Sequence, residues 1–229
     1  MATISDKLQL VSSRIHAAVS QFGRPPDSVT LLAVSKTFPA VTIREAVAAG
    51  QRRFGENYVQ EALEKMADLA DLTIEWHFIG PLQSNKTRPV AEHFAWVHSI
   101  DRLKIAERLS AQRPESLPPL NVLVQVNVSG EASKSGCAPD EAVALALAVA
   151  ALPRLRLRGL MAIPEPSDDP AVLQARFALV RTLAAQLRAA GQAVDTLSMG
   201  MSHDLETAIA EGATLVRIGT AIFGSRAPQ

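Results

Sequence analysis

Lys36 stands just beyond a four-residue apolar run, Leu31 to Val34, in the stretch LLAVSKTFP. Such a run reads as a buried strand. The lysine at its end is therefore either a surface residue whose stem snorkels out or an amine kept inside for chemistry. A lysine amine ordinarily ionises at about pH 10.4, and burial favours its neutral, nucleophilic form. Two later stretches bear on the same question. In SMGMSHDLETAI, Gly200 permits a tight turn and Ser202 reads as the N-cap of a helix with Asp204 and Glu206 in its first turn. In VRIGTAIFGS, Gly219 and Thr220 open another helical turn. Helix starts present amide N–H groups and partial positive charge, which favour anions. Taken alone, the Ser202 start reads first as a simple cap; the two starts together point to a phosphorylated ligand. Arg217, inside the last apolar run, cannot shed its charge. It either pairs with a buried carboxylate such as Glu56 or donates to that ligand.

These groups need a scaffold, and the hydrophobic pattern supplies one. Strand-like runs occur at TLLAVSK, RRFGEN, EWHFIG, AWVHSI, NVLVQVNV, RLRGLMAI, DTLSMG and TLVRIG, with helix-length segments between them. An opening amphipathic helix spans about residues 5–22 and is stopped by GRPPD. Eight strands, each followed by a helix or helical turn, predict an α/β fold, a parallel (β/α)8 TIM barrel with an extra N-terminal helix. A doubly wound open sheet is the competing arrangement. The chain, 1–229, reads as a single domain. In a barrel, function belongs at the C-terminal ends of the strands. Those ends are where Lys36, Glu56-Asn57, Gly80, Asn127, Ser202-His203 and Gly219-Thr220 fall.

Composition narrows the class. The 229 residues are 48% hydrophobic and 20% charged, with 23 basic residues balancing 23 acidic ones. This is an ordinary globular balance, and it argues against a general nucleic-acid or membrane-surface binder. The longest apolar run, residues 142–152, is too short to cross a bilayer and reads as a packed helix. No secretory leader pattern opens the chain, and one cysteine, Cys137, cannot form an internal disulfide. A cytoplasmic location is expected, with monomer and weak homodimer both open. No metal site is assigned.

A lysine beside a phosphate site suggests imine chemistry, with pyridoxal 5′-phosphate (PLP) engaging both features and a lysine-imine aldolase as an alternative. The blocks LLAVSKT, RFGENYVQEAL, WHFIGPLQSNK, SKSG, GLMAI, LSMGMSHDLETAI and VRIGTAIFG resemble the pyridoxal-phosphate homeostasis protein family, itself similar to the barrel domain of alanine racemase. The resemblance runs from the first strand to the end of the chain. It implies a single barrel that binds PLP as an aldimine on Lys36. It further implies Asn57 near the ring hydroxyl, Arg217 facing the pyridine nitrogen, and Ser202, Gly219 and Thr220 on the phosphate.

An arginine at the ring nitrogen leaves that nitrogen unprotonated and weakens the ring as an electron sink, which disfavours transamination but not racemisation. Two-base racemisation needs a second proton-transfer group opposite the lysine. Racemases similar to this barrel bring a tyrosine on a second domain. The one tyrosine here is Tyr58, and His203 and His77 are further candidates. The expected role is therefore PLP storage and delivery without substantial turnover, with apo PLP-dependent enzymes as prospective recipients; a PLP-dependent amino-acid racemase is the alternative. Lys86 and Lys134 are candidates for a second aldehyde site or for ordinary surface residues.

Overall fold

A computed structural model describes residues 2–130 and 135–224. Its first element is α1 (Ile4–Gln21), whose N-terminus is closed by a capping box between Thr3 and Asp6. Leu8, Val11, Ile15, Ala18 and Val19 are buried on one face, the three- and four-residue spacing of a helix lying on a core. The strands are β1 (Thr30–Val34), β2 (Arg53–Glu56), β3 (Glu75–Phe78), β4 (Trp96–Ile100), β5 (Leu120–Gln125), β6 (Leu155–Met161), β7 (Thr196–Ser198) and β8 (Leu215–Ile218). Between them come α2 (Ala40–Ala48), α3 (Val59–Asp68), α4 (Thr87–His93), α5 (Leu103–Gln112), α6 (Pro139–Ala150), α7 (Pro170–Ala189) and α8 (Leu205–Ala210), and α9 (Thr220–Phe223) follows β8.

The strands pair in sequence order into a closed barrel. All pairings are parallel, and β1 meets β8 with Leu32 opposite Arg217 and Ala33 opposite Ile218. Closure disposes of the open-sheet alternative. The apolar run at 142–152 lies largely within α6, and among the described residues no helix is long and apolar enough to cross a membrane.

Because strand side chains alternate, the barrel has two cores. The larger one lies between sheet and helices and contains Ala33, Phe54, Phe78, Val97, Val122, Val124, Val216 and Ile218. The barrel interior holds two small apolar clusters, Leu32–Ile79–Leu215 and Trp96–Leu123–Met161. Between these clusters the interior is polar: His77, His98, Ser198 and Arg217 are all buried and hydrogen-bonded to one another. A polar axis costs desolvation unless every group finds a partner.

Candidate functional site

At the C-terminal mouth, a cavity of about 250 Å3 is walled by Val34, Lys36, Asn57, Ile79, Ile163, Met201, Ser202, His203, Arg217, Gly219 and Thr220. Lys36, Asn57, Ser202, Arg217, Gly219 and Thr220, the six cofactor-site residues expected from the sequence, thus share one wall, although they come from four different strands and the turns that follow them. Lys36 is half-buried there, neither in bulk water nor sealed in the core.

The turn carrying Lys36 is held firmly. Ser35 is fully buried; its amide donates to the Gly55 carbonyl at 3.0 Å and its hydroxyl to Glu56 Oε1 at 2.5 Å. Lys65 Nζ donates to the Ser35 carbonyl and to Glu56 Oε1, both at 2.8 Å, and also pairs with Glu61. Glu61 in turn accepts the Thr37 amide at 2.6 Å. Thr37 has φ 69°, a left-handed conformation costly for a β-branched residue. Phe38 packs on Phe223 of α9, ring centroids 5.1 Å apart. Burial pushes the Glu56 carboxyl upward, against the pull of Lys65.

Arg217 is not the partner of Glu56, as one sequence reading had it; Lys65 holds that place. Its Nη1 donates to the Ser198 carbonyl at 2.6 Å and to Ser198 Oγ at 2.7 Å, and its Nη2 donates to the Ala162 carbonyl at 2.8 Å. These partners are neutral oxygens. Burial lowers the guanidinium to about 10, opposed by the charge of Asp204. Asp204 itself is pushed up by burial, while the Met201 amide it accepts at 2.6 Å and Arg217 pull it down.

The loop after β7 differs from the sequence reading. Asp204, not Ser202, occupies the N-cap position of α8, and it makes no side-chain cap hydrogen bond to the helix. Ser202 and His203 therefore lie in the turn before the helix, where both line the cavity. Gly200 enables this turn: its φ is 98°, and a Cβ there would sit 2.7 Å from that of Ala208. Arg14 of α1 braces the loop, donating to the Ser202 carbonyl at 3.2 Å and pairing with Glu206 of α8. The extra N-terminal helix thus reaches the site through one side chain. Gly219 takes the N-cap position of α9, as the sequence suggested, and the first amides of such a turn have no partner within the helix.

Asn57 supplies an orphan. Its Oδ1 is buried without a hydrogen-bond partner, an expensive state for an amide unless a ligand completes it. The approach is tight, since a Cβ on Gly80 would meet the Asn57 carbonyl at 2.4 Å.

The remaining candidates lie elsewhere. Tyr58 is 54% exposed and outside the cavity wall. His77 is in the barrel interior, as expected of a core-lining residue. Lys86 is exposed at the end of a 3-10 turn, away from this wall. Lys134 lies outside the described residues. Cys137 is buried, and burial pushes its thiol up to about 11, far from a reactive thiolate. Sequence reading missed Ile79, Ile163 and Met201. Each follows a strand end as Lys36 does, and that position was the available signal.

Comparison with known proteins decides the family. Residues 11–227 match the family model described as alanine racemase, N-terminal domain. The chain is 66% identical over 226 residues to a pyridoxal phosphate homeostasis protein of Pseudomonas aeruginosa, covering 99% of this chain and 97% of that one. The chain belongs to the pyridoxal phosphate homeostasis protein family. An Escherichia coli member is 57% identical, with 99% and 98% covered. Among solved structures, PipY of Synechococcus elongatus with PLP bound superposes with TM-score 0.86 at 43% identity, over 97% of this chain and 100% of that one. Alanine racemase from Corynebacterium glutamicum shares the fold (TM-score 0.71, 18% identity) over 93% of this chain and 60% of its own. Members of the family are named for homeostasis of the cofactor rather than for a reaction.

Proposed function

We propose that this protein binds PLP in the cavity at the C-terminal mouth, held as a Schiff base on Lys36, and buffers or delivers it without substantial turnover. In this reading residues 1–229 act as one cofactor-binding domain in the cytoplasm, and apo PLP-dependent enzymes are the recipients. The observation that carries it is the cavity wall itself, on which an amine, a guanidinium with neutral partners, an orphaned amide and two hydroxyl-bearing turns converge.

The residues fit the group. A cavity of about 250 Å3 is slightly smaller than the usual range for ligand sites, about 300–1,000 Å3, and suits a single ring with a short anionic arm. Ser202, Gly219 and Thr220 are the residues for the phosphate, by hydroxyl and backbone amide. Arg217, which can only donate, is the partner for the ring nitrogen. The unmet Asn57 amide is the partner for the ring hydroxyl. PLP supplies an electrophilic aldehyde; the protein supplies the amine and the fixed positive charge of Arg217.

His203 lines the cavity and is exposed, so the alternative, an amino-acid racemase, has a candidate second base. One experiment separates the readings. The PLP-loaded protein is reduced with borohydride, digested and peptide-mapped, and loaded protein is incubated with L-amino acids while optical rotation is followed. Label on Lys36 with unchanged rotation is expected. Label on another lysine would overturn the site, and decay of rotation that Lys36→Ala abolishes would establish the racemase.

A further inference from the structure

The polar axis of the barrel is a continuous chain. Arg217 Nη1 meets Ser198 Oγ at 2.7 Å, Ser198 Oγ meets His98 Nδ1 at 2.8 Å, His98 Nε2 meets His77 Nδ1 at 2.9 Å, and His77 Nε2 meets Glu75 Oε1 at 3.0 Å. It begins in the wall of the Lys36 cavity and ends in a second cavity, at the N-terminal mouth, walled in part by Glu75, His77 and Trp96. Trp96 stacks on His77, centroids 5.2 Å apart and planes 7° from parallel, so that ring cannot turn freely.

The two ends fix the direction of every bond. Arg217 can only donate, so Ser198 Oγ accepts. An ionised Glu75 can only accept, so His77 Nε2 carries hydrogen. Burial disfavours the charged form of both histidines, leaving one proton on each ring. His77 Nδ1 must then accept from His98 Nε2–H, His98 Nδ1 must accept, and the Ser198 hydroxyl must donate to it. All four donors point the same way. A second proton on His98 would turn Nδ1 into a donor, take away the acceptor of the Ser198 hydroxyl hydrogen, and place two cations side by side.

We propose that Ser198, His98, His77 and Glu75 are positioning residues that orient Arg217 for the Lys36 cavity, with Glu75 acting from the opposite mouth of the barrel. The inference rests on the cofactor reading above. The chain gives the guanidinium a polarised acceptor whose terminal carboxylate lies three side chains away. Arg217 is thereby anchored while its charge still faces the cavity, where a carboxylate alongside would have neutralised it.

The chain is tested first on cofactor-free protein, by long-range nitrogen–proton correlation of the histidine rings at neutral pH. Both rings should be Nε2–H tautomers. A cationic ring, or an Nδ1–H on His98, overturns the directed chain. The positioning role is tested with Glu75→Leu, which removes the acceptor, and Glu75→Gln, which keeps an acceptor without charge. In the cofactor-free Leu variant the Arg217 Nε–H resonance should move, and in the Gln variant it should return toward wild type. An unmoved resonance in Glu75→Leu sinks the role. Should that variant not fold, His98→Leu and His98→Gln make the same comparison, because glutamine can accept from Ser198 and donate to His77.

With PLP, Glu75→Leu should weaken binding about fivefold, the equivalent of one hydrogen bond, and shift the visible absorption band. Glu75→Gln should stay within about twofold. Equal losses in both would overturn positioning through the acceptor. If wild-type protein takes up no PLP, the cofactor reading fails, and the tautomer and resonance results still judge the chain.

Discussion

The two mouths of the barrel handle their charges in opposite ways. At the N-terminal mouth each cation has an anion against it. Arg53 meets Glu75 at 3.1 Å, and Arg158 grips Asp195 through two nitrogens at 2.9 and 2.7 Å while its guanidinium lies 4.7 Å from the Trp96 ring centroid. At the C-terminal mouth Arg217 is anchored on neutral oxygens, and Asp204, the nearest acidic influence on it, is itself pushed toward its neutral form. The N-terminal cavity is the larger, about 420 Å3 against 250 Å3. Size is therefore a poor guide here. A site that has already satisfied its own charges has little to offer an anion, whereas the smaller one keeps positive charge and an unmet amide for a ligand.

The sharpest way to break this contrast is to remove the amine. Lys36→Ala is expected to abolish covalent retention of PLP and the associated visible absorption, with the far-ultraviolet circular dichroism unchanged. Retention of a borohydride-stable label elsewhere would mean that the wrong mouth, or the wrong lysine, has been assigned. Next comes Arg217→Met. Hydrogen bonds to charged groups contribute about 1.5–3 kcal/mol, so PLP should bind roughly 10- to 150-fold more weakly. Equilibrium dialysis checks this, with a thermal melt to account for the lost anchors on Ser198 and Ala162.

How much of this was legible beforehand follows from what kind of contact each feature depends on. The strands were visible because each is a short apolar run bounded by turn residues, a local signal. Lys36, Asn57, Ser202, Gly219 and Thr220 were visible because they sit just past such runs, and Arg217 because it interrupts one. The cap after β7 was misread because Ser202 and Asp204 are both good caps two residues apart, and only the chain path selects between them. The histidine chain could not be read at all. His98 and Ser198 are 100 positions apart, and nothing local in AWVHSI or DTLSMG says that β4 and β7 will face one another across a closed barrel. Arg14 reaching Ser202 and Glu206 was hidden for the same reason.

The polar axis joining the mouths gives a third, smaller effect. Burial lowers the folded-state values of His77 and His98, so the unfolded chain binds more protons wherever free histidine titrates. Their contribution to stability is complete above the unfolded value of about 6.5 and is lost as pH falls below it, continuing down to the folded values. The slope approaches about 1.4 kcal/mol per pH unit for each ring. Glu75, also held low, chiefly by its hydrogen bond to His77, adds its own loss only nearer the carboxylate range. Urea midpoints between pH 7 and 5 should fall steeply in wild type and with a shallower slope in His98→Leu. Equal slopes would mean that His98 takes up its second proton as readily in the folded protein as in the unfolded chain, against a directed chain that keeps the ring neutral.

The smallest effect is expected at the N-terminal mouth. Arg158→Met with Asp195→Asn removes a pair in which Asp195 is 55% exposed, so solvent screening limits its value to about 0–1 kcal/mol. The Asn121 side-chain oxygen, 3.0 Å from Arg158 Nη1, loses a donor as well but can turn to water. Stability should drop by no more than about 1 kcal/mol and PLP uptake should not change, because this pair belongs to the self-neutralised cavity and no link of the histidine chain passes through it. A loss of PLP binding comparable to that of Glu75→Leu would show that the two mouths communicate through the general charge of the N-terminal end. The one route drawn from Glu75 to Arg217 would then be insufficient.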